Sequence, residues 1–458
     1  MSAPRRVQLR AGIRRAAPAT WALAARLAGL VASTAIAMVL ARSLGTDQFG
    51  RFSVASSIAV GGSIGVSGGL NRAALRDVAS RMAHQEPGAA QAVIAAACRA
   101  FGIVAPLGAV ATAFVGSLVL GWGTTVALAA MLALVLGLLL VVADVLRALG
   151  DYKIANVASG PSGGALVALG FLLPLGWSAL RPTTADAALV VNLVAAMVAS
   201  ALAVGVLVVR TRKVTATEAS VRRGATPARL LHAGLPFMVT QVALFLSLQV
   251  DLWIAGATLS EEDTGLYAAA LRLMNVIRVP LTAAQFTLLA AIPALHALGR
   301  MRELERRVRR AALIVTVPSA VGLVACAFLA GPMLSLVLGE GYRGAAPLLV
   351  TLALGQLVIV ALGLSGNVLN LCGFERLMLV VSVSSLAASV LADFVAARLW
   401  GVEALAVASA STTAGSFVAL WWLAHHHLGI WTHPLWPTMR NLVSSGERSS
   451  QAAAGDPS

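Results

Sequence analysis

The chain has 458 residues, 59% hydrophobic and only 12% charged, with a mean hydropathy of +0.85 and a net charge of +15. Water-soluble domains carry about 25% charged residues, so this composition excludes a soluble globular protein and requires a polytopic membrane protein. The positive balance does not imply nucleic acid, because cytoplasmic loops of membrane proteins collect Lys and Arg.

A span crossing a hydrocarbon core of roughly 30 Å needs about 20 apolar residues. Residues 1–19 hold Arg5, Arg6, Arg10, Arg14 and Arg15 and read as a cytoplasmic tail. The run 20–41 is span 1. Ala35-Ile36-Ala37 has the form of a signal-cleavage site, but the run is long and Arg26 interrupts it, which argues against a signal peptide. Span 2 covers about 52–70, where Gly61, Gly65 and Gly69 fall on one face and allow close helix approach. A basic loop with Arg72, Arg76 and Arg81 follows, then spans at about 100–121, 125–146, 154–175 and 186–209. The polar, basic stretch 210–229 is the boundary between an N-lobe, 20–209, and a C-lobe, 230–424. The C-lobe spans fall near 231–256, 265–292, 311–331, 346–371, 377–397 and 402–424, before a cytoplasmic tail, 425–458. The fold class is therefore an all-α polytopic membrane protein with about twelve transmembrane helices.

On this map 25 Lys and Arg fall on the side of the N-terminus and five on the other. Both termini are thus expected in the cytoplasm. An internal repeat supports two six-helix lobes of like orientation. LGTDQFGRFSVASSI (44–58) aligns without gaps to LSEEDTGLYAAALRL (259–273), placing Gly50 on Gly265 and Phe52 on Tyr267. LRALGDYKIANVAS (146–159) aligns to LNLCGFERLMLVVS (369–382). Such a parallel repeat puts a central site between the lobes.

Arg272 lies about seven residues, or roughly 10 Å, into span 8. Arg278 lies near mid-span beside Pro280 and shares a face with Thr282 and Gln285; Asn275 lies between the two arginines. An arginine at such depth costs about 2.5–3.5 kcal/mol on insertion scales and normally faces protein or a wet cavity. A cationic cavity is the reading, with Arg26 either joining it or snorkelling to the near surface. Asp251 shares a helical face with Thr240 and Ser247. It either neutralises an arginine, the favoured reading, or binds a coupling proton or sodium ion. Asp144 and Asp393, nearer span ends, are expected at the interface. Glu340, Glu403 and the acidic turn Glu261-Glu262-Asp263 read as helix-terminus carboxylates. His425 to His427 are consecutive and chelate poorly. The cysteines Cys98, Cys326 and Cys372 show no metal spacing, so no metal and no cofactor are expected.

LARSLGTDQFGRFSVASSI, VDLWIAGATLSEEDTGLYAAALRL, LGEGYRGAAPLLVTLALGQL and NLCGFERLML resemble the oligosaccharide flippases, the polysaccharide-biosynthesis transporters of the multidrug/oligosaccharidyl-lipid/polysaccharide exporter superfamily. The resemblance covers roughly 20–424 and implies a V-shaped, alternating-access carrier of undecaprenyl-diphosphate-linked glycans, such as O-antigen or exopolysaccharide units, in the bacterial inner membrane. Polysaccharide assembly proteins are further partners it implies. Span 8 also resembles that of the peptidoglycan lipid II flippases, whose cavity arginine corresponds to Arg272. Guanidinium suits a diphosphate because its fork matches phosphate oxygens, which gives Arg272, Arg278 and Arg26 a clamp role, with Asn275 and Gln285 beside them. Two rivals are weighed. A cation-coupled multidrug antiporter of the same superfamily fits the fold, but two arginines suit an anionic substrate. A membrane polymerase or glycosyltransferase would need acid/base groups and a sizeable outer loop, and the outer loops here are short.

Overall fold

The computed structural model describes residues 3–158, 164–175, 181–212, 226–277, 281, 284–285, 288 and 291–434, with most of their side chains from residue 32 onward. These residues form helices α1 (Ala3–Ser67), α2 (Leu70–Ala83), α3 (Pro87–Leu120), α4 (Thr124–Ala148), α5 (Tyr152–Ala158), α6 (Gly164–Leu175) and α7 (Ala185–Arg212). The second half contains α8 (Pro227–Thr258), α9 (Glu261–Ile277), α10 (Ala291–Ala297) and α11 (Met301–Leu338). After a 3-10 turn, Glu340–Ala345, come α12 (Ala346–Leu362), α13 (Leu364–Leu371), α14 (Glu375–Trp400) and α15 (Val402–Leu428).

Helix is the expected outcome for these apolar runs, because lipid offers no partner for backbone N–H and C=O groups. Among the described residues eight helical stretches are long and apolar enough to cross a membrane, and α1 with α2, bent by 47°, makes a ninth. They coincide with expected spans 2–4, 6, 7 and 9–12. Expected spans 5 and 8 include residues outside the described set, and span 1 lies within α1 with its side chains described only from residue 32.

The chain divides into two compact units. The first holds residues 1–273, 329–349 and 386–409, the second 274–328, 350–385 and 410–458. In the first, α1 packs among α3, α4, α6, α7 and α8, with Leu40, Phe49, Ile58, Leu132, Leu139 and Leu189 fully buried. Near its middle α1 breaks at Gly45 (φ 74°, ψ 177°), a conformation open essentially to glycine alone. The break leaves carbonyls without helical partners. Tyr342, 2% exposed, supplies one: its hydroxyl donates to Ala41 O at 3.1 Å and Gly45 O at 2.9 Å. Its ring meets Phe49 edge-on at 5.7 Å.

Beyond the break α1 runs against α9 and α8. A Cβ on Gly50 would lie 2.7 Å from Gly265 N, and one on Gly265 only 2.1 Å from Thr46 O. At the other end a Cβ on Gly69 would lie 2.0 Å from Gly234 O. Gly61 faces Phe245, while Gly65 has nothing within 4 Å of its own Cβ position. Trp253 Nε1 donates to Ser57 Oγ at 3.0 Å, and Ser57 Oγ donates to Gln249 Oε1 at 3.0 Å, so polar groups on this seam are paired across it.

The second unit has its own core. Leu281, Ala284, Leu288, Ile292 and Leu295 are buried at helical spacing, with Leu304, Val308 and Ala312 of α11 and Ile359, Val360 and Leu364 of α12 and α13. Ser365 and Thr432 share a buried hydroxyl contact of 2.9 Å. His425 stacks on Trp431 with centroids 3.6 Å apart.

Forcing a side chain into a backbone contact costs about 1–3 kcal/mol. Gly265→Val is therefore expected to lower the melting temperature of the detergent-purified protein by several degrees. Gly205→Val, at a position with open space, leaves it unchanged. Equal melting of the two variants contradicts the close contact.

Candidate functional site

The hairpin of α8 and α9 carries the polar groups that matter in the first unit. Ser260 opens α9: its hydroxyl accepts the Asp263 N–H at 3.1 Å, as a helix cap does. Gly265 then lets α9 lie against α1, and the next turn buries Tyr267, Ala268, Ala269 and Ala270 completely or nearly so.

Tyr267 points its hydroxyl at Asp251 of α8. It donates to Asp251 Oδ2 at 2.8 Å, and Ser409 Oγ donates to the same oxygen at 3.1 Å. Oδ1 accepts the Leu252 N–H at 2.8 Å. Asp251 is 8% exposed and, among the described residues, has no cationic partner. The arginine pairing favoured by the sequence is not seen among those residues; two hydroxyls and an amide hold the carboxylate instead. Asp393 of α14 is fully buried and within electrostatic reach of both Asp251 and Tyr267. It accepts from Ser389 Oγ at 2.8 Å on one oxygen, and its other oxygen has no partner among the described residues. The expected position of Asp393 near a span end is thus joined by burial within the protein. Depth along a span says nothing of what packs beside it, and here neighbouring helices cover the residue. Asp144, also expected at the interface, is 4% exposed for the same reason. Carboxylates taken out of water need compensating positive charge.

Arg272 follows Tyr267 by five residues on α9. Its side chain is exposed but densely ringed by protein atoms. Among the described residues it has neither a carboxylate nor a hydrogen-bond partner. Gln285 occupies a half-buried helical position beside Ala284 in the second unit. Arg26 and Asn275 lie on α1 and α9, but their side chains are outside the described residues, as is Arg278 altogether. Of the residues singled out by sequence, the structure thus describes Arg272 and Asp251 within one unit, and they do not touch.

Sequence reading missed the roles of Tyr267, Ser409 and Glu261. Glu261 does more than sit at a helix terminus: its Oε1 meets Arg51 Nη1 at 3.3 Å. Arg51 Nε also donates to Thr125 Oγ1 at 3.0 Å, and Thr124 and Thr125 both donate to Asp186. A signal for Tyr267 existed, since the repeat sets it on Phe52. Phe52 stacks on Phe171 at 6.3 Å with no polar partner to serve, so the hydroxyl is what distinguishes the second copy.

Residues 18–299 match the family described as "Polysaccharide biosynthesis protein". No curated protein matches the chain by sequence. Among solved structures, an inward-facing multidrug resistance MATE family transporter of the MOP superfamily aligns with a TM-score of 0.68 at 15% identity. That alignment covers 88% of this chain and 94% of the other. The lipid II flippase MurJ, in an inward closed conformation, aligns with a TM-score of 0.66 at 10% identity, covering 89% and 87%. A MOP superfamily transporter from Pyrococcus furiosus aligns with a TM-score of 0.50 at 15% identity, covering 90% and 94%. At these identities the likeness establishes the fold, that of MOP-type alternating-access transporters.

Removing one donor from a buried carboxylate costs about 1–3 kcal/mol. Tyr267→Phe is expected to lower the melting temperature, and a double-mutant cycle with Asp251→Asn should give a coupling energy of about 0.5–3 kcal/mol. Strict additivity of the two substitutions removes the hydrogen bond from the account.

Proposed function

Because the chain belongs to the polysaccharide biosynthesis protein family, a family of multi-pass membrane transporters, we propose that it is a flippase for polyprenyl-diphosphate-linked oligosaccharide destined for cell-surface polysaccharide. The observation that carries this reading is Arg272, a guanidinium on an otherwise buried helix with no acceptor among the described residues. A cation held in a membrane bundle without a partner is costly, and an anionic substrate group offsets that cost. Guanidinium receives two phosphate oxygens at once. The same charge disfavours a cationic drug, so the multidrug antiporter is the weaker reading.

In this proposal the two lobes, 20–209 and 230–424, alternate access in a bacterial cytoplasmic membrane with both termini inside. The diphosphate-sugar head binds Arg272, with Arg278, Arg26, Asn275 and Gln285 as further contacts, while the polyprenyl tail stays in lipid. Asp251 is the coupling residue. Its shell of hydroxyls leaves its charge to a proton or a sodium ion, whose binding or release biases one lobe arrangement over the other.

The test is flipping of undecaprenyl-diphosphate-linked sugar in proteoliposomes. Arg272→Ala should reduce the rate at least tenfold with the protein still inserted, and Arg272→Lys should restore part of it, since an ammonium keeps the charge and loses the fork. Wild-type rates in Arg272→Ala would remove the clamp. Asp251→Asn should accumulate normally and flip without response to a proton or sodium gradient. A retained gradient response would show that coupling lies elsewhere.

A further inference from the structure

A second group of arginines lies in the first unit, at the end of α1 remote from Gly45. There α1 breaks at Gly68 (φ 56°) and Gly69 (φ 70°) and turns by 47° into α2. Helix α2 buries Leu70, Asn71, Ala73, Ala74 and Val78. Its other face presents Arg72 and Arg76, one turn apart, with side chains 47% and 59% exposed. Such a short basic amphipathic helix suits the headgroup level of a membrane.

What lies beneath Arg72 and Arg76 is unusual. Arg72 reaches Asp144 of α4 at 3.8 Å, a loose pair, while Arg147 holds the other oxygen of that carboxylate closely. Asn71, 2% exposed, donates to Asp144 Oδ2 at 3.2 Å and, at the 3.5 Å limit of a hydrogen bond, to Gln241 Oε1 of α8. Asn71 Oδ1 and Gln241 Nε2 are buried with no partner among the described residues. Arg76 donates to the neighbouring Asp77 Oδ1 at 3.1 Å and lies over the ring of Phe237, one turn before Gln241, at 6.0 Å. So Arg72 ties α2 to Asp144 of α4, Asn71 bridges that carboxylate and Gln241 of α8, and Arg76 ties α2 directly to Phe237 of α8. An unmatched acceptor and donor facing the same joint mark an arrangement that is not the lowest in energy for every state.

Building on the flippase reading, we infer that Arg72 and Arg76 form a receiving site for the diphosphate of the lipid-linked substrate, and that its binding loosens α2 from α8. The diphosphate takes Arg72 from its loose pair with Asp144, and Arg76 from its exposed pair with Asp77 and from Phe237. Asp144, left with Arg147 alone, draws the Asn71 amide fully to itself, and the long bond to Gln241 is lost. Helix α8 then loses these polar ties to α2 and keeps its packing against α2 and α3 and the Gly69–Gly234 crossing. Charge chemistry thus links arrival of the substrate to loosening of the helix that begins the second half.

The experiment uses the full chain in nanodiscs with undecaprenyl diphosphate as probe. Undecaprenyl monophosphate, phosphatidylglycerol and inorganic pyrophosphate serve as comparisons. Wild type should bind the diphosphate lipid, and Arg72→Gln/Arg76→Gln should bind it about tenfold more weakly, a loss of roughly 1.4 kcal/mol. The monophosphate should bind less well, and phosphatidylglycerol should not compete. On binding, deuterium uptake should rise in peptides covering residues 68–76 and 231–241 of wild type and stay flat in the double variant. Both substituted side chains are largely exposed, so folding is expected to persist, and an unchanged melting temperature checks it. Equal binding by wild type and double variant overturns the receiving site while leaving the flippase reading standing. Competition by phosphatidylglycerol, or tight binding of pyrophosphate alone, also overturns it. Unchanged uptake on binding overturns the link to α8. No binding of the diphosphate lipid by wild type overturns the flippase reading itself.

Discussion

Backbone lies against backbone where α1 crosses α9 and α8, and the packing of the first unit follows from that contact. Helices in lipid gain little from hydrophobicity, because the tails are as apolar as leucine; they associate by close packing and polar contacts instead. Gly50 against Gly265 and Gly69 against Gly234 let backbones meet where a Cβ would clash. Only at that spacing do Trp253, Ser57 and Gln249 reach one another. The first of these crossings joins two positions that the internal repeat makes equivalent. Contact between equivalent positions is what a two-fold relation demands at its axis.

How much of this could be read beforehand differs by residue type. The helical runs were plain, since lipid forces every span to satisfy its own backbone. Gly61 and Gly69 were legible as points of close approach, while their neighbour Gly65 packs nothing against its own Cβ position. Arg272 stood out because a cation interrupts an apolar run. The carboxylates were harder. Counting residues from a span end gave depth along one helix, but burial of Asp144 and Asp393 depends on other helices crossing there. For Asp251, helical-face arithmetic could offer only nearby partners, whereas one of its hydroxyl donors, Ser409, lies 158 residues on. The hint that was present, Tyr267 opposite Phe52 in the repeat, required asking what the extra oxygen was for.

Asp251 and Arg272 form no ion pair among the described residues, although other unlike charges of the first unit, such as Arg147 and Asp144, are paired. Asp251 and Asp393 lie buried without a cation among the described residues, and Arg272, a few residues past Tyr267, has no acid. Joining them would satisfy both partners, and a well-made buried pair is hard to open again. Separation has the opposite effect. Under the proposed function each group would then exchange its partner, as a carrier that must both take up and let go requires.

The hydroxyl of Tyr342 has a consequence for how the protein is made. It serves carbonyls at a helix break 297 residues earlier in the chain. At synthesis rates of 5–20 residues per second, that interval is roughly 15–60 s. Throughout it the nascent first half sits in the membrane with a bent helix whose acceptors await a donor not yet translated. Insertion and final folding of α1 are therefore separate events, and during the delay other molecules at the membrane must tolerate, or shield, an unfinished N-terminal half.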